Sequence, residues 1–424
     1  MVATLRCPVI PQASPLSWSE LEALAPPLPD RVNGPTNAQA RLRLFGHSQE
    51  QVRVTLYRDH HAWCPYCQRV WLWLEESRIP YRVGKVSMVC YGDKEPWYRR
   101  LVPSGMVPAI ELDGRLITES DRILEALEEA FGPLGHALHD PEVVRFRRLE
   151  RSLFAAWCSW LCQPGSGADG EALAQRHFSH VATELERLMA AGGGPFMLGG
   201  FGGADVLFAP FLERMSASLA HYKGVLLRGC HPGLDRWFRA MEARPAYQGT
   251  QGDFHTHAHD LPPQMGGCVA SGEPGQRQLA ARINGGPWPI VPDGQADPET
   301  SQAEPPGAAA LALARVLRHR EALLARQQCP ARHRDQALRC ALTTLIRGDA
   351  CPPPAATAAG LRELRDRICV PRDMPLHSAR RLRQALEATA RLDPADPDGQ
   401  GPDLPLRHRR DQDPNLFSNA LSPA

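Results

Sequence analysis

The stretch from residue 53 to 132 carries the pattern that most restricts the fold. RVTLY (53–57) alternates polar and apolar side chains as a strand does, and CPYCQRVWLWLEESRI (64–79) begins a helix. YRVGKVSM (81–88) alternates again, and PAIEL (108–112) and RLIT (115–118) flank Asp113-Gly114, a two-residue hairpin turn. ESDRILEALEEAFG (119–132) then sets Ile123, Leu127 and Ala130 on one helical face, with Gly132 as its stop. A short helix near 94–101 completes the order βαβαββα. Beyond residue 140 no strand pattern recurs.

That order is the order of a thioredoxin-like domain, expected over 51–133. Asp140-Pro141 suits a helix N-cap and first helical position, and Phe146, Leu149, Leu153 and Trp157 follow at helical spacing. Further helices fit 171–190, 203–221 and 231–243, giving an all-helical domain over 140–255. Residues 1–50 read as an irregular, Pro-rich arm, and 256–307 as a Pro/Gly-rich linker. A helical extension is expected over 308–392, ending in a flexible tail, 393–424. Three sets within it share a face: Leu338, Ala341, Leu342 and Leu345; Leu361, Leu364 and Ile368; Ala379, Leu382 and Leu386. They must bury against each other or against the preceding helices. The fold class is α+β, a βαβαββα domain followed by an all-α domain and extra C-terminal helices.

WCPYC stands at the first strand-to-helix junction. Cys64 falls at the N-cap and Pro65 at the first helical position, where a missing N–H costs nothing. The free N–H groups of that turn, with the helix dipole, favour thiolate over thiol at Cys64. Cys67, one turn further in, can attack a mixed disulfide on Cys64. Val70, Trp71 and Leu74 fall on the buried side of the helix and hold its N-terminus in place. A structural zinc site needs four ligands, and no second Cys-x-x-Cys exists here. The pair therefore reads as a thiol site before a zinc half-site or two inert thiols.

The segment 53–131 resembles the N-terminal domain of the glutathione transferase superfamily, in its omega-class and dehydroascorbate-reductase-like branch with a glutaredoxin-type CPYC motif. In SGMVPAIEL, Val107-Pro108 occupies the place of the family's cis-proline, whose preceding residue pairs its backbone with the cysteinyl part of glutathione. Glu119-Ser120 in TESDRI matches the acidic-Ser pair that receives the γ-glutamyl end. Lys94 stands thirteen residues before Val107, where the omega-like pattern has a glutathione-contacting lysine. The chemistry suits the ligand: an α-amino group wants Glu119, an α-carboxylate wants Ser120 and helix N–H groups, and the glycine carboxylate wants Lys94. FMLGGFGGADVLFAPFLERM (196–215) is similar to the family's glycine-rich turn into a helix with Asp in its first turn. Gly202, however, replaces the usual Ser or Thr three residues before Asp205. The resemblance spans 53–255 and suggests a bacterial, cyanobacterial-like branch with a long C-terminal extension. It implies glutathione as cosubstrate, a small disulfide or electrophile as second substrate, and a homodimer.

Composition narrows the partners. With 48 basic and 47 acidic residues the formal charge is +1, which argues against nucleic acid or an anionic membrane. No run of about 18 apolar residues occurs, and MVATLRCPVIPQ lacks the layout of a secretion signal, so a cytoplasmic protein is expected. Twelve irregularly spaced cysteines do not form a disulfide framework. Cys158 and Cys162 read as small buried residues; Arg58, His60 and His61 could line the site or stabilise the thiolate, and a solvated loop explains them equally well. The His255, His257, His259 run lacks matched ligands at known spacing, and no metal is expected. Three functions remain open. The first is thiol–disulfide exchange through Cys64, the second conjugation of glutathione to electrophiles. The third is a non-catalytic, glutathione-binding regulator or scaffold that docks a partner through the C-terminal helices.

Overall fold

The computed structural model describes residues 14–91, 93–165, 167–285, 297–326, 331–399 and 401. Helix α1 (Trp18–Leu24) and strand β1 (Leu42–Arg43) lie in the N-terminal arm. Strand β2 (Val54–Asp59), helix α2 (Pro65–Glu76), strand β3 (Tyr81–Val86), helix α3 (Pro96–Leu101), strands β4 (Ala109–Leu112) and β5 (Arg115–Thr118), and helix α4 (Ser120–Phe131) follow in the expected order. The sheet runs β1-β3-β2-β4-β5, with β2 and β3 parallel and the other pairs antiparallel.

Helices α5 (Pro141–Cys162), α6 (Gly167–Ala191), α7 (Gly203–Ser218), α8 (Leu227–Cys230), α9 (Pro232–Glu242), α10 (Pro245–Thr250), α11 (Phe254–Met265) and α12 (Pro274–Gly285) form the second part. Asp140 caps α5 by accepting from the Glu142 N–H at 2.9 Å, as the Asp-Pro pair suggests. Helix α2 is buried on almost every side because it lies between the sheet and α7. Its Val70, Trp71 and Leu74 share one core with Trp157, Phe208 and Phe211, so the mixed and helical parts are packed as one body. Gly202 supplies half a capping box: its N–H donates to Asp205 Oδ2 at 2.9 Å, with no side chain to return the bond. A Cβ at Gly202 would stand 2.9 Å from the Leu134 carbonyl oxygen, which explains why Ser or Thr is not used. Asp205 also accepts from Met197 N–H at 2.9 Å and Trp237 Nε1 at 2.8 Å, pinning the glycine-rich turn onto α9.

Helices α13 (Ala308–Arg318), α14 (Arg320–Arg326), α15 (Ala331–Arg347), α16 (Ala358–Arg367) and α17 (Leu376–Ala390) complete the chain. The three apolar faces read from the sequence meet one another in a second core, joined by Leu16 and Leu21 of the arm.

Two expectations need correction. The arm over 1–50 is not irregular where it is described. Ser17 and Glu20 form a capping box on α1, Leu16 N–H donates to Thr343 Oγ1 at 2.9 Å, and β1 pairs with β3. Arg43 of β1 forms a buried pair with Glu75 at 2.9 Å, and Glu75 also accepts from Thr36 and Tyr81, each at 2.7 Å. A two-residue strand has too few residues to show alternation, and α1 gains its partner only from the far end of the chain. The linker over 256–307 contains α11 and α12. Helix α11 shows little amphipathic contrast in sequence because Phe254 through Leu261 are all buried, His255, His257, His259 and Asp260 among them, and Pro262 and Pro263 sit in its last turn. Most of the tail, 402–424, lies outside the described residues. Among those described, no helix is long and apolar enough to cross a membrane.

Candidate active site

The register of the sheet assembles the site. Tyr57 of β2 stands opposite Ala109 of β4, and Ala109 opposite Thr118 of β5. Neighbouring strands lie about 4.8 Å apart. Val107-Pro108, just before Ala109, and Glu119-Ser120, just after Thr118, therefore emerge at the sheet end where β2 turns into α2. Cys64 caps α2 there with Pro65 as first helical residue, and its Sγ accepts the Cys67 N–H at 3.4 Å. The same sulfur lies 3.9 Å from the Val107 carbonyl oxygen, and the Val107-Pro108 peptide bond is cis.

Glu119, at the N-cap of α4, is exposed and holds φ at 69°, a left-handed conformation uncommon for a residue with a Cβ. Ala62, two residues before Cys64, does the same at 64°. Such strain persists only where the surrounding structure imposes it, and it gathers at functional sites. Ser120 is buried behind Glu119. Lys94 is buried with its ammonium 5.5 Å from the Tyr98 ring centroid, and its stem lies along Gly105, where an added Cβ would stand 3.5 Å from Lys94 Cγ. Burial lowers its pKa, opposed by the charges of Cys67, Glu95, Asp59 and Cys64.

The two cysteines differ in surroundings. Cys67 is 1% exposed, and burial, then its hydrogen bond with Cys64, pushes its thiol well above the ordinary range. Cys64 retains 5% exposure. Asp59, a residue the sequence reading did not single out, sits fully buried at the end of β2. Its Oδ2 accepts the Trp63 N–H at 2.7 Å, while Oδ1 has no hydrogen-bond partner. A carboxylate oxygen of Asp59 and the two sulfurs lie within 4.8 Å of one another, the one such group of His, Cys and carboxylate side chains among the described residues close enough to share a cation. The available signal was a lone acid closing an apolar strand five residues before Cys64.

Arg214 of α7 also went unread. Its Nη2 donates to the Trp63 carbonyl at 2.5 Å and its Nη1 to Gln68 Oε1 at 2.9 Å, tying the loop before Cys64 to the helical part. His61 and Trp63 are buried and stack at 4.2 Å, with Tyr91 edge-on to Trp63 at 5.0 Å. Of the two readings open for Arg58, His60 and His61, the solvated loop does not hold for Arg58 and His61, which are buried, while His60 is half-buried. Cys369, from the C-terminal extension, joins this cluster, and Arg372 places its guanidinium 5.9 Å from the Trp63 ring.

The histidines of α11 turn to three different elements. His257 Nε2 is 3.3 Å from Glu213 of α7, His255 Nε2 3.6 Å from Asp366 of α16, and His259 Nε2 2.8 Å from Asn284 of α12. A second thiol contact joins Cys162 to Cys268. That hydrogen bond, helped by Lys223, brings Cys162 down to about 7 against the opposing effect of burial.

Known proteins resemble this chain in sequence. The family model described as glutathione S-transferase, N-terminal domain matches residues 63–130, and that of the C-terminal domain matches 167–240. The Arabidopsis thaliana protein named glutathione S-transferase DHAR2 is 28% identical over 189 residues, 44% of this chain and 84% of the relative. A rice (Oryza sativa subsp. japonica) protein named probable glutathione S-transferase DHAR1, cytosolic, is 30% identical over 167 residues, 38% of this chain and 71% of the relative. The chain belongs to the glutathione S-transferase family. Among solved structures, the Chlamydomonas reinhardtii dehydroascorbate reductase aligns with a TM-score of 0.38 at 22% identity, over 47% of this chain and 93% of that one. The segments matched by the two family models end at residue 240, before the C-terminal extension.

Proposed function

We propose that this transferase catalyses glutathione-dependent thiol–disulfide exchange with Cys64 as nucleophile. The observation that carries the reading is the Cys64 sulfur at a helix N-terminus, accepting the Cys67 N–H at 3.4 Å and lying against the Val107 carbonyl. Cys64 thiolate attacks a glutathione mixed disulfide, bonding to the glutathionyl sulfur and expelling the substrate thiolate. A glutathione thiolate then attacks the glutathionyl sulfur, regenerating Cys64 and releasing oxidised glutathione. Val107 offers its backbone to the cysteinyl part beside cis Pro108. Glu119 offers its carboxylate to the γ-glutamyl amino group, Ser120 its hydroxyl to the α-carboxylate, and Lys94 its ammonium to the glycine carboxylate.

Cys67 provides a second exit. It attacks the Cys64 sulfur, gives its proton to the partnerless Asp59 oxygen, and releases glutathione thiolate, leaving a Cys64–Cys67 disulfide. Because burial holds Cys67 as a thiol, this exit depends on the carboxylate beside it. Asp59→Asn keeps an acceptor for the Trp63 N–H and removes the base. It is expected to slow intramolecular release of glutathione from Cys64 by about tenfold or more, read by mass spectrometry in glutathione-free buffer. Steady turnover in excess glutathione should change less.

Reduction of hydroxyethyl disulfide and of dehydroascorbate, set beside conjugation of an aryl halide, tests the reading. Disulfide reduction should exceed conjugation by about 100-fold in kcat/KM, and Cys67→Ser should keep most of it. Conjugation as the faster reaction would refute the reading. The scaffold alternative is less favoured, because the apolar faces of α13, α15, α16 and α17 are mostly buried in their own core.

A further inference from the structure

A cavity of about 470 Å³ lies where the arm, the outer strands of the sheet and the C-terminal extension meet. That is ample for a small ligand. Its walls contain six basic side chains, Arg31, Arg41, Lys85, Arg315, Arg367 and Arg372, against two carboxylates, Glu363 and Asp373. Both carboxylates are engaged, Glu363 with Arg367 at 3.1 Å and Asp373 with Arg372 at 2.8 Å. Arg31 and Arg315 converge on one neutral acceptor, Gln39 Oε1, which Arg31 reaches at 2.7 Å. Lys85 has no carboxylate partner among the described residues. Burial, then Arg58, Arg41, Arg31 and Arg372, lowers its pKa well below the ordinary value. Burial likewise brings Arg315 down to about 10. A chain of net charge +1 has thus gathered basic side chains in one half-open cavity.

Beside these, His60 and His319 line it, and an apolar wall comes from Val316, Leu323, Leu364, Ile368, Met374 and Leu382. Cys64, Lys94, Val107, Glu119 and Ser120 are absent from it, although His60 and Arg372 place it behind the loop that carries Trp63. Apart from Lys85, its residues lie outside the segments matched by the family models.

The geometry points to a binding site for an amphiphilic organophosphate, its phosphate held by Lys85, Arg31 and Arg315 and its apolar body laid on Leu323, Leu364 and Leu382. A phosphate ester carries nearly two negative charges and several acceptor oxygens, which matches converging guanidinium and ammonium groups better than a single carboxylate does. A bare phosphate would leave the apolar wall wet, and a neutral alcohol would bring no anion to Lys85, Arg31 and Arg315. The site is independent of the thiol chemistry. Occupancy would clamp the extension to the sheet.

Titration calorimetry on the full chain, with octyl phosphate, octan-1-ol and inorganic phosphate as probes, tests it. Octyl phosphate should bind once per chain with a Kd below about 100 µM, and the other two at least about tenfold more weakly. Lys85→Met and Arg315→Gln should each weaken octyl phosphate by about tenfold or more while leaving disulfide reduction in place. No binding of octyl phosphate at about 1 mM overturns the site. So does inorganic phosphate binding equally well, or binding indifferent to both substitutions. Should a variant fail to fold, the ranking of the three probes on the wild-type chain still decides.

Discussion

Cys64→Ser is expected to lower glutathione-dependent disulfide reduction by about 1000-fold or more, some 4 kcal/mol of barrier, while leaving the fold intact. The loss is large because the chemistry needs sulfur twice: as a thiolate nucleophile, and as the atom that holds glutathione in a covalent disulfide. An oxygen at this position cannot form that bond. The fold survives because serine is a good N-cap, and its Oγ can accept the same Cys67 N–H that the sulfur accepts at 3.4 Å. Thermal unfolding of the variant should therefore match the wild type closely, separating lost chemistry from lost structure. Aryl-halide conjugation should fall far less. Reduction persisting in this variant, carried by Cys67 or by Cys162, would remove Cys64 from the mechanism.

Arg383→Ala is expected to cost about 3–5 kcal/mol and to free the C-terminal extension in a separate, earlier melting step. Arg383 of α17 pairs with Asp253, the buried N-cap of α11, and donates to the Ile368 carbonyl at 2.7 Å. Asp253 also accepts the Thr256 N–H at 2.9 Å. Burial opposes its charge, yet Arg383, His255 and Thr256 hold its carboxyl down at about 2 against an ordinary 3.8. A depressed folded-state pKa stabilises above the unfolded value and loses that contribution as pH falls from about 4 towards 2, a loss of about 2 kcal/mol. Without Arg383, burial dominates and raises the same carboxyl, so its effect at neutral pH becomes destabilising and fades on acidification. The gap in melting temperature between wild type and variant should consequently be widest near pH 7 and shrink towards pH 3. A gap independent of pH would mean that Arg383 acts through packing alone.

Much of the thioredoxin-like part was legible because its signals are local. Cys64 and Pro65 announce a helix start by their own chemistry, Asp113-Gly114 announces a hairpin, and the alternation of β2 and β3 survives in single file. The faces of α15, α16 and α17 were legible for the same reason, since helical spacing of leucines needs no knowledge of the partner. What escaped depends on the far end of the chain. Helix α1 and strand β1 are too short to show a period and are fixed by Thr343 and by the Arg43–Glu75 pair. Helix α11 buries histidines beside its apolar residues, and their partners lie on α7, α12 and α16. At the site, Val107-Pro108 and Glu119-Ser120 could be placed from motif and spacing. Asp59 and Arg214 could not, because their meaning comes from the sulfur and the carbonyl they approach in three dimensions.

The central claim is that Cys64 takes the glutathionyl group, and intact and peptide mass spectrometry of Cys67→Ser protein exposed to oxidised glutathione tests it most directly. The account predicts a single glutathionyl adduct, mapped to Cys64 and removed by reduced glutathione. An adduct mapped to another cysteine, with Cys64 unmodified, would contradict it.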